Sequence, residues 1–256
     1  MTHYQDPAWQ AALQQHGLDA FEAWWSRDIA WFEPPNERRG GWSGVGKLVL
    51  AVENQPALAL FVKKQQNHGR RTLRHPLAGE PTFRREFERL QALAKAGIPA
   101  PKVLMYAESL HQGNQRAILV IENLHGFVDL EQWLPTILSQ PAVERRRLLR
   151  AVARQIRRFH NLGWVHRALY PKHIFVRPAD AVPQVALIDL EKARQSFGAW
   201  RRAQFDLAAL HRHTEGLADR DRLYFFKQYL HAKAFARPLN WCERQLLKRI
   251  TTRSKR

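Results

Sequence analysis

The 256 residues include 41 Lys+Arg against 23 Asp+Glu, a formal net charge of +18, and the sequence pI is about 10.9. Hydrophobic residues make up 45% of the chain, enough to bury a real core in one two-lobed domain or two small ones, which excludes a disordered basic protein. A lone Cys242 excludes a disulfide scaffold and a cysteine-ligated structural zinc site. No run of 18 apolar residues is present to span a membrane, and the opening MTHYQDPAWQ has no signal-peptide pattern, so a soluble, cytoplasmic protein is expected. The charge calls for an anionic partner: nucleic acid, an anionic membrane surface or a phosphorylated substrate.

In chain order, residues 7–26 are predicted helical, with Trp9, Leu13, Leu18, Phe21 and Trp25 loosely spaced as apolar positions. The stretch 34–41, with two prolines and two glycines, breaks that pattern. Strands are predicted at 47–52 and 58–64 about turn residues at 53–56. A helix follows over 82–96, capped by Thr82 and stopped by Gly97 and Pro99. Strands come next at 102–107 and 117–122. Residues 142–162 then form a long Arg-rich helix whose apolar positions, Val143, Leu148 or Leu149, Val152, Ile156 and Phe159, recur close to the helical period. A loop at 163–173, short strands at 174–177 and 184–189, and helices at about 202–213, 219–235 and 241–250 complete the chain. A strand-rich half with one main helix, followed by a helical half with an embedded hairpin, predicts an α+β, two-lobed protein-kinase-like fold. Its lobes are 1–122 and 123–256.

Four constellations carry chemistry. Gly41 to Lys47 nearly spells a Walker A sequence, but Leu48 stands where the Ser/Thr belongs and a strand follows where a P-loop needs a helix. A glycine-rich turn between strands, presenting Gly41, Ser43 and Gly44, is how protein kinases cover ATP phosphates; the plain alternative is an ordinary glycine hairpin. Lys63 sits in a strand otherwise apolar on both faces, where a kinase places its phosphate-binding lysine; the alternative is a strand ending in solvent. Glu86 falls on the apolar edge of helix 82–96, while Glu88 falls on its wet side. An acid on that edge needs a cation. Lys63 is the candidate, with Arg85 and Arg89 as surface alternatives. Last, His166, Arg167 and Leu169 match the H-R-D-L-x-x-x-N catalytic loop at the right spacing, with Ala168 in place of the base and His173 in place of the metal-binding Asn. Asp189 then closes an apolar strand where a kinase binds Mg²⁺.

These segments, with Leu169 to Phe175, Ile188 to Glu191 and Phe205 to Leu210, resemble the lipopolysaccharide core kinases of the Kdo/WaaP family, and within it the InaA-like branch. The resemblance spans about residues 40–210. It implies a protein-kinase-like fold, ATP and Mg²⁺ as cofactors, and phosphoryl transfer to a sugar hydroxyl of the lipopolysaccharide inner core at the inner membrane face. It gives His166, Arg167, His173 and Asp189 catalytic-loop roles, with Asp189 and His173 holding metal. Asp206 becomes an anchor for that loop. Glu122 falls in the segment 121–124, a hinge whose backbone faces adenine.

Ala168 is the departure. Phosphoryl transfer depends mostly on positioning and charge stabilisation, and a general base contributes about 10²–10⁴-fold, so slow turnover is compatible with alanine. Tyr170, His173 and Glu191 are weak substitutes for the base. Nucleotide binding is therefore expected more strongly than transfer, and a pseudokinase that binds or regulates is the alternative. A nucleic-acid-binding protein has only charge in its favour; basic residues are not interleaved with aromatics on a strand face, so no specific nucleic acid is expected. The tryptophans are expected mostly as core or lobe-packing residues, with a nucleotide cover as the lesser alternative for Trp42. The charge is uneven: residues 1–122 carry a net +3 and residues 123–256 a net +15. The second lobe, with Arg145 to Arg158 and the 244–256 tail, is thus expected to face an anionic glycolipid and the membrane that presents it.

Overall fold

A computed structural model describes residues 3–38, 40–52, 55–70, 79–179, 182–230 and 237–254. The expected turn residues 53–54, the last residues of the 219–235 helix and the end of the basic tail lie outside them. The chain divides into two units, Met1–Ala96 with Pro101–Leu124, and Gly97–Ala100 with His125–Arg256.

The first unit is built on a six-stranded antiparallel sheet in the order β1-β7-β8-β4-β3-β2. Its strands are β1 (His3–Gln5), β2 (Ala30–Arg38), β3 (Gly41–Val52), β4 (Gln55–Gln66), β7 (Val103–His111) and β8 (Asn114–Glu122). Two short strands, β5 (Gly69–Arg70) and β6 (Glu80–Pro81), pair separately. One sheet face packs Leu50, Leu60, Val62, Met105, Ile118 and Val120 against Leu13, Leu18 and Trp24. The opposite face carries helix α3 (Thr82–Lys95), which buries Phe83, Glu86, Leu90 and Leu93.

Three expectations change here. The helix over 7–26 is split into a 3₁₀ turn, α1 (Gln10–Gln15) and α2 (Phe21–Ser26). Gly17 adopts φ +64° between them, which ends α1 and lets Leu18 turn back into the core. Residues 34–38 belong to β2 despite Pro34 and Pro35. β2 is an edge strand, where proline is tolerated, and its register shifts between Glu33 and Asn36. Thr82 does not cap α3; the Gln65 side chain accepts from the Phe83 N–H (3.1 Å) and the Thr82 hydroxyl (2.9 Å), so β4 serves the helix start.

The second unit is helical around α5 (Ala142–Asn161), which buries Leu148, Leu149, Val152, Ile156 and Phe159. Val143 is exposed instead of facing this core. α5 contacts α7 (Asp219–Leu230) and α6 (Ala199–Arg212), and α6 packs on α8 (Trp241–Ser254). Helix α4 (Leu130–Ser139), which contains Pro135, was not among the expected elements. Asp129 caps its first turn through the Gln132 N–H (2.9 Å). Strands β11 (Ile174–Arg177) and β12 (Gln184–Leu187) form the expected hairpin, extended by β9 (Val128–Asp129), and β10 (Trp164–Val165) pairs with β13 (Arg194–Gln195).

α8 starts with a reciprocal cap. The Asn240 side chain accepts from the Glu243 N–H and the Glu243 carboxylate from the Asn240 N–H, both at 2.8 Å. Arg237 also grips this carboxylate (2.7 and 2.8 Å), and chiefly for that reason its pKa falls to about 2. A pKa lower in the folded than in the unfolded chain adds stability above the unfolded value, lost as pH falls toward 2. The melting temperature of Glu243→Gln is therefore expected to drop less than that of the wild type on acidification from pH 4.5 to about 2. Parallel curves would count against the cap.

Candidate functional site

Lys63 and Glu86 meet across the sheet–helix interface of the first unit. Antiparallel pairing sets Val45, Lys63, Leu119 and Tyr106 opposite one another in successive strands, which puts all four on the α3 face. The Lys63 ammonium donates to both Glu86 oxygens, at 2.6 and 2.9 Å, and the side chains are 16% and 5% exposed. An ammonium has three N–H donors. Glu86 accepts from it twice, which leaves one donor for a further acceptor.

The neighbouring Lys64 points to the other face and is buried. Its ammonium donates to the carbonyls of Trp25 (2.9 Å) and Arg27 (2.7 Å), closing the end of α2. Burial pushes its pKa down, and Asp28 partly offsets this. The apolar strand around the two lysines disguised their division of labour.

The glycines of β3 have local reasons of their own. Gly44 pairs with Lys64, so it lies on the face away from Lys63. A Cβ there would meet the Trp31 ring at 2.6 Å, and one at Gly41 would meet the Asn67 carbonyl at 2.3 Å. Ser43, opposite Gln65, lies on the Lys63 face. Trp42 shares the Gly44 face and packs against Trp25 and Trp31 at 5.6 and 6.1 Å between ring centres. It belongs to an aromatic row there, the packing role expected of most of the tryptophans, and not to the face that carries Lys63. Glu122 is the last residue of β8; its N–H donates to Lys102 and that of Asn123 to Ala59, both at 2.9 Å. Both amides are thus taken within the unit.

In the second unit, one buried carboxylate organises the loop. Asp206 is fully buried and accepts from the backbone N–H of His166 (2.6 Å) and of Arg167 (2.9 Å), and from His160 Nε2 (2.9 Å). The other His160 nitrogen accepts from the Tyr229 hydroxyl at 2.7 Å, whose pKa burial raises. This chain holds Arg167 at φ +69°, a left-handed conformation few side chains adopt. His160 and Tyr229 were missed: each lies on a helix with no local motif, and only the tertiary fold brings them to Asp206.

The His166 ring is buried, and Nε2 donates to the Ile188 carbonyl at 3.0 Å. Burial lowers its pKa and keeps the ring neutral. It lies parallel to the His173 ring, 6.1 Å between centres. His173 Nδ1 donates to the Ala168 carbonyl (2.7 Å), which turns the Nε2 lone pair outward, 3.5 Å from an Asp189 carboxylate oxygen. Asp189 stands at φ +55°, at the start of a 3₁₀ turn. A lone pair and a carboxylate this close favour a cation shared between them, and the two would serve as partial ligands for a divalent metal completed by phosphate and water oxygens. Among the described residues no group of three or more His, Cys, Asp or Glu side chains is arranged to hold a metal alone. The Ala168 side chain is buried and supplies no base.

The fold and these loops define a protein-kinase-like protein. The model of the lipopolysaccharide kinase (Kdo/WaaP) family matches residues 22–229, and the chain belongs to that family. It is 30% identical to Protein InaA of Escherichia coli over 205 residues, 79% of this chain and 92% of that one. It is 32% identical to the lipopolysaccharide core heptose(I) kinase WaaP of Pseudomonas aeruginosa over 168 residues, 61% of this chain and 60% of that one. The solved structure of WaaP in complex with acyl carrier protein aligns with 100% of this chain and 98% of that one, at a TM-score of 0.70 and 26% identity.

Proposed function

We propose that this protein binds ATP with a divalent metal and transfers a phosphoryl group to a sugar hydroxyl of lipopolysaccharide core, at the cytoplasmic face of the inner membrane. The Lys63–Glu86 pair carries this reading. A half-buried lysine held by two bonds, with one donor left over, is suited to a phosphate oxygen. Gly41, Ser43 and Gly44 belong to the strand that would cover the nucleotide, and Glu122 to the segment beside adenine. His173 and Asp189 would hold Mg²⁺, which supplies charge neutralisation at the phosphates. His166 and Arg167 are positioning residues: one is bonded to the carbonyl preceding Asp189, the other fixed by Asp206.

A saturating ligand at a hundredfold excess over its Kd stabilises by about 2.7 kcal/mol, so Mg-ATP is expected to raise the melting temperature by several degrees. Lys63→Met and Asp189→Asn should lose that rise. A wild-type protein whose melting temperature ignores Mg-ATP would sink the nucleotide reading.

Ala168, in place of the catalytic aspartate, favours an alternative to this reading: a pseudokinase that keeps the nucleotide and binds or regulates without transferring phosphate. An acyl carrier protein is a candidate partner, since the solved WaaP structure that aligns with this chain is a complex with one.

A further inference from the structure

The arginines of α5 are mostly engaged within the unit. Arg145 is buried against Asp221 (2.8 Å), Arg150 donates to the Tyr224 hydroxyl, Arg157 to the Leu230 carbonyl and Arg158 to the Gly97 carbonyl, while Arg147 pairs with Glu144. The expected basic platform on this helix is therefore largely a set of internal ties. Among the described residues, a separate cluster of cations lies on α8.

We propose that the groove between α6 and α8 is a binding site for a phosphomonoester, distinct from the catalytic-loop residues and independent of the phosphoryl-transfer reading. Its lining is Gln204 from α6 and Gln245, Lys248, Arg249, Thr252 and Arg253 from α8, around a volume of about 350 Å³. Three cations and three neutral hydrogen-bonding groups face it, and no acid. Each helix has one acid: Asp206 is fully buried and bonded to the catalytic loop, and Glu243 is gripped by Arg237. The α8 residues recur at three- and four-residue steps, so they share one face. Arg249 and Arg253 stand four apart, where like charges repel; a bound dianion would relieve that repulsion. Arg253 is aimed by its surroundings: its guanidinium lies 4.5 Å from the Phe205 ring centre, and its carbonyl accepts from Arg212 at 2.9 Å. Planar guanidinium and amide donors suit the several oxygens of a terminal phosphate. The lining offers no aromatic face on which a base would stack, which disfavours nucleic acid.

A phosphomonoester can come from a soluble sugar phosphate or from a lipid headgroup. The test uses the full chain, glucose 6-phosphate by titration calorimetry, and co-sedimentation with phosphatidylcholine vesicles containing phosphatidic acid. The groove variant is Lys248→Glu/Arg249→Glu, both exposed. A control of equal charge change, Arg154→Glu/Arg220→Glu, alters exposed positions outside the groove. Thr252→Glu adds a carboxylate to the groove without removing a cation. Binding of at least one probe is expected, weakened about tenfold or more in both groove variants and about twofold or less in the control. Binding of glucose 6-phosphate assigns a soluble source, and binding of the vesicles alone a lipid headgroup. If neither probe binds, if the groove variants bind like the wild type, or if the control loses as much, the site is overturned. Stabilisation by Mg-ATP, measured on the same variants, should survive, so a failed groove remains distinguishable from a failed nucleotide site.

Discussion

Asp206→Ala is expected to destabilise the second unit by roughly 3–5 kcal/mol, the usual range for removing one partner from a buried charged network. The cost arises from what is left behind. The N–H groups of His166 and Arg167 would lose their acceptor, and so would His160. An unsatisfied buried donor costs about 1–3 kcal/mol. The left-handed Arg167 would also lose the bond that holds it there. Asp206→Asn retains one carbonyl oxygen, so it should satisfy one of the two loop amides and lose roughly half as much. Urea unfolding, followed by circular dichroism, measures both variants. If Asp206→Ala unfolds within about 1 kcal/mol of the wild type, below the range for such networks, the carboxylate does not anchor the loop.

Some of this was legible in sequence because it is local. The hairpin at 174–187 and helix α3 follow from periodicity and turn residues. Glu86 was separable from Glu88 by helical angle alone, and the structure buries the first and exposes the second. The rest was hidden for identifiable reasons. The α2 end is closed by Lys64, 37 residues from the Arg27 carbonyl. The α3 start is served by Gln65, 18 residues before the Phe83 amide. A sequence window sees neither, and in the second case the nearest hydroxyl, Thr82, took the role on paper. The run at 34–41 does end the helical pattern, but Pro34 and Pro35 sit on an edge strand, and the helix around Pro135 had no signal strong enough to mark it. The arginines of α5 misled through their number. Helical spacing shows which face they share, but not that carbonyls and Asp221 wait on α7 and nearby loops to receive them.

Ala168→Asp is expected to raise phosphoryl transfer by about 10²–10⁴-fold, the usual contribution of a general base. The loop around the position is already built. The Ala168 carbonyl accepts from the Tyr170 N–H (2.8 Å) and from His173 Nδ1 (2.7 Å), and the preceding amides are held by Asp206. A carboxylate there would enter a site where the alanine is 1% exposed. Burial disfavours the charged form and raises a carboxyl pKa. That brings the new group nearer to working pH, where a base is most effective, at some cost in stability. Ala168→Asn has nearly the same volume and no basic oxygen, so it should bear a similar packing cost and gain nothing. Two readouts apply: ATP hydrolysis, in which water is the acceptor, and phosphate transfer to purified lipopolysaccharide. Gain in both would mean that only the base was missing. Gain in hydrolysis alone would mean that the nucleotide is activated and the acceptor differs. An aspartate variant no faster than the asparagine one, with Mg-ATP stabilisation intact, would refute the missing base as the limit and favour a chain that binds nucleotide without transferring phosphate.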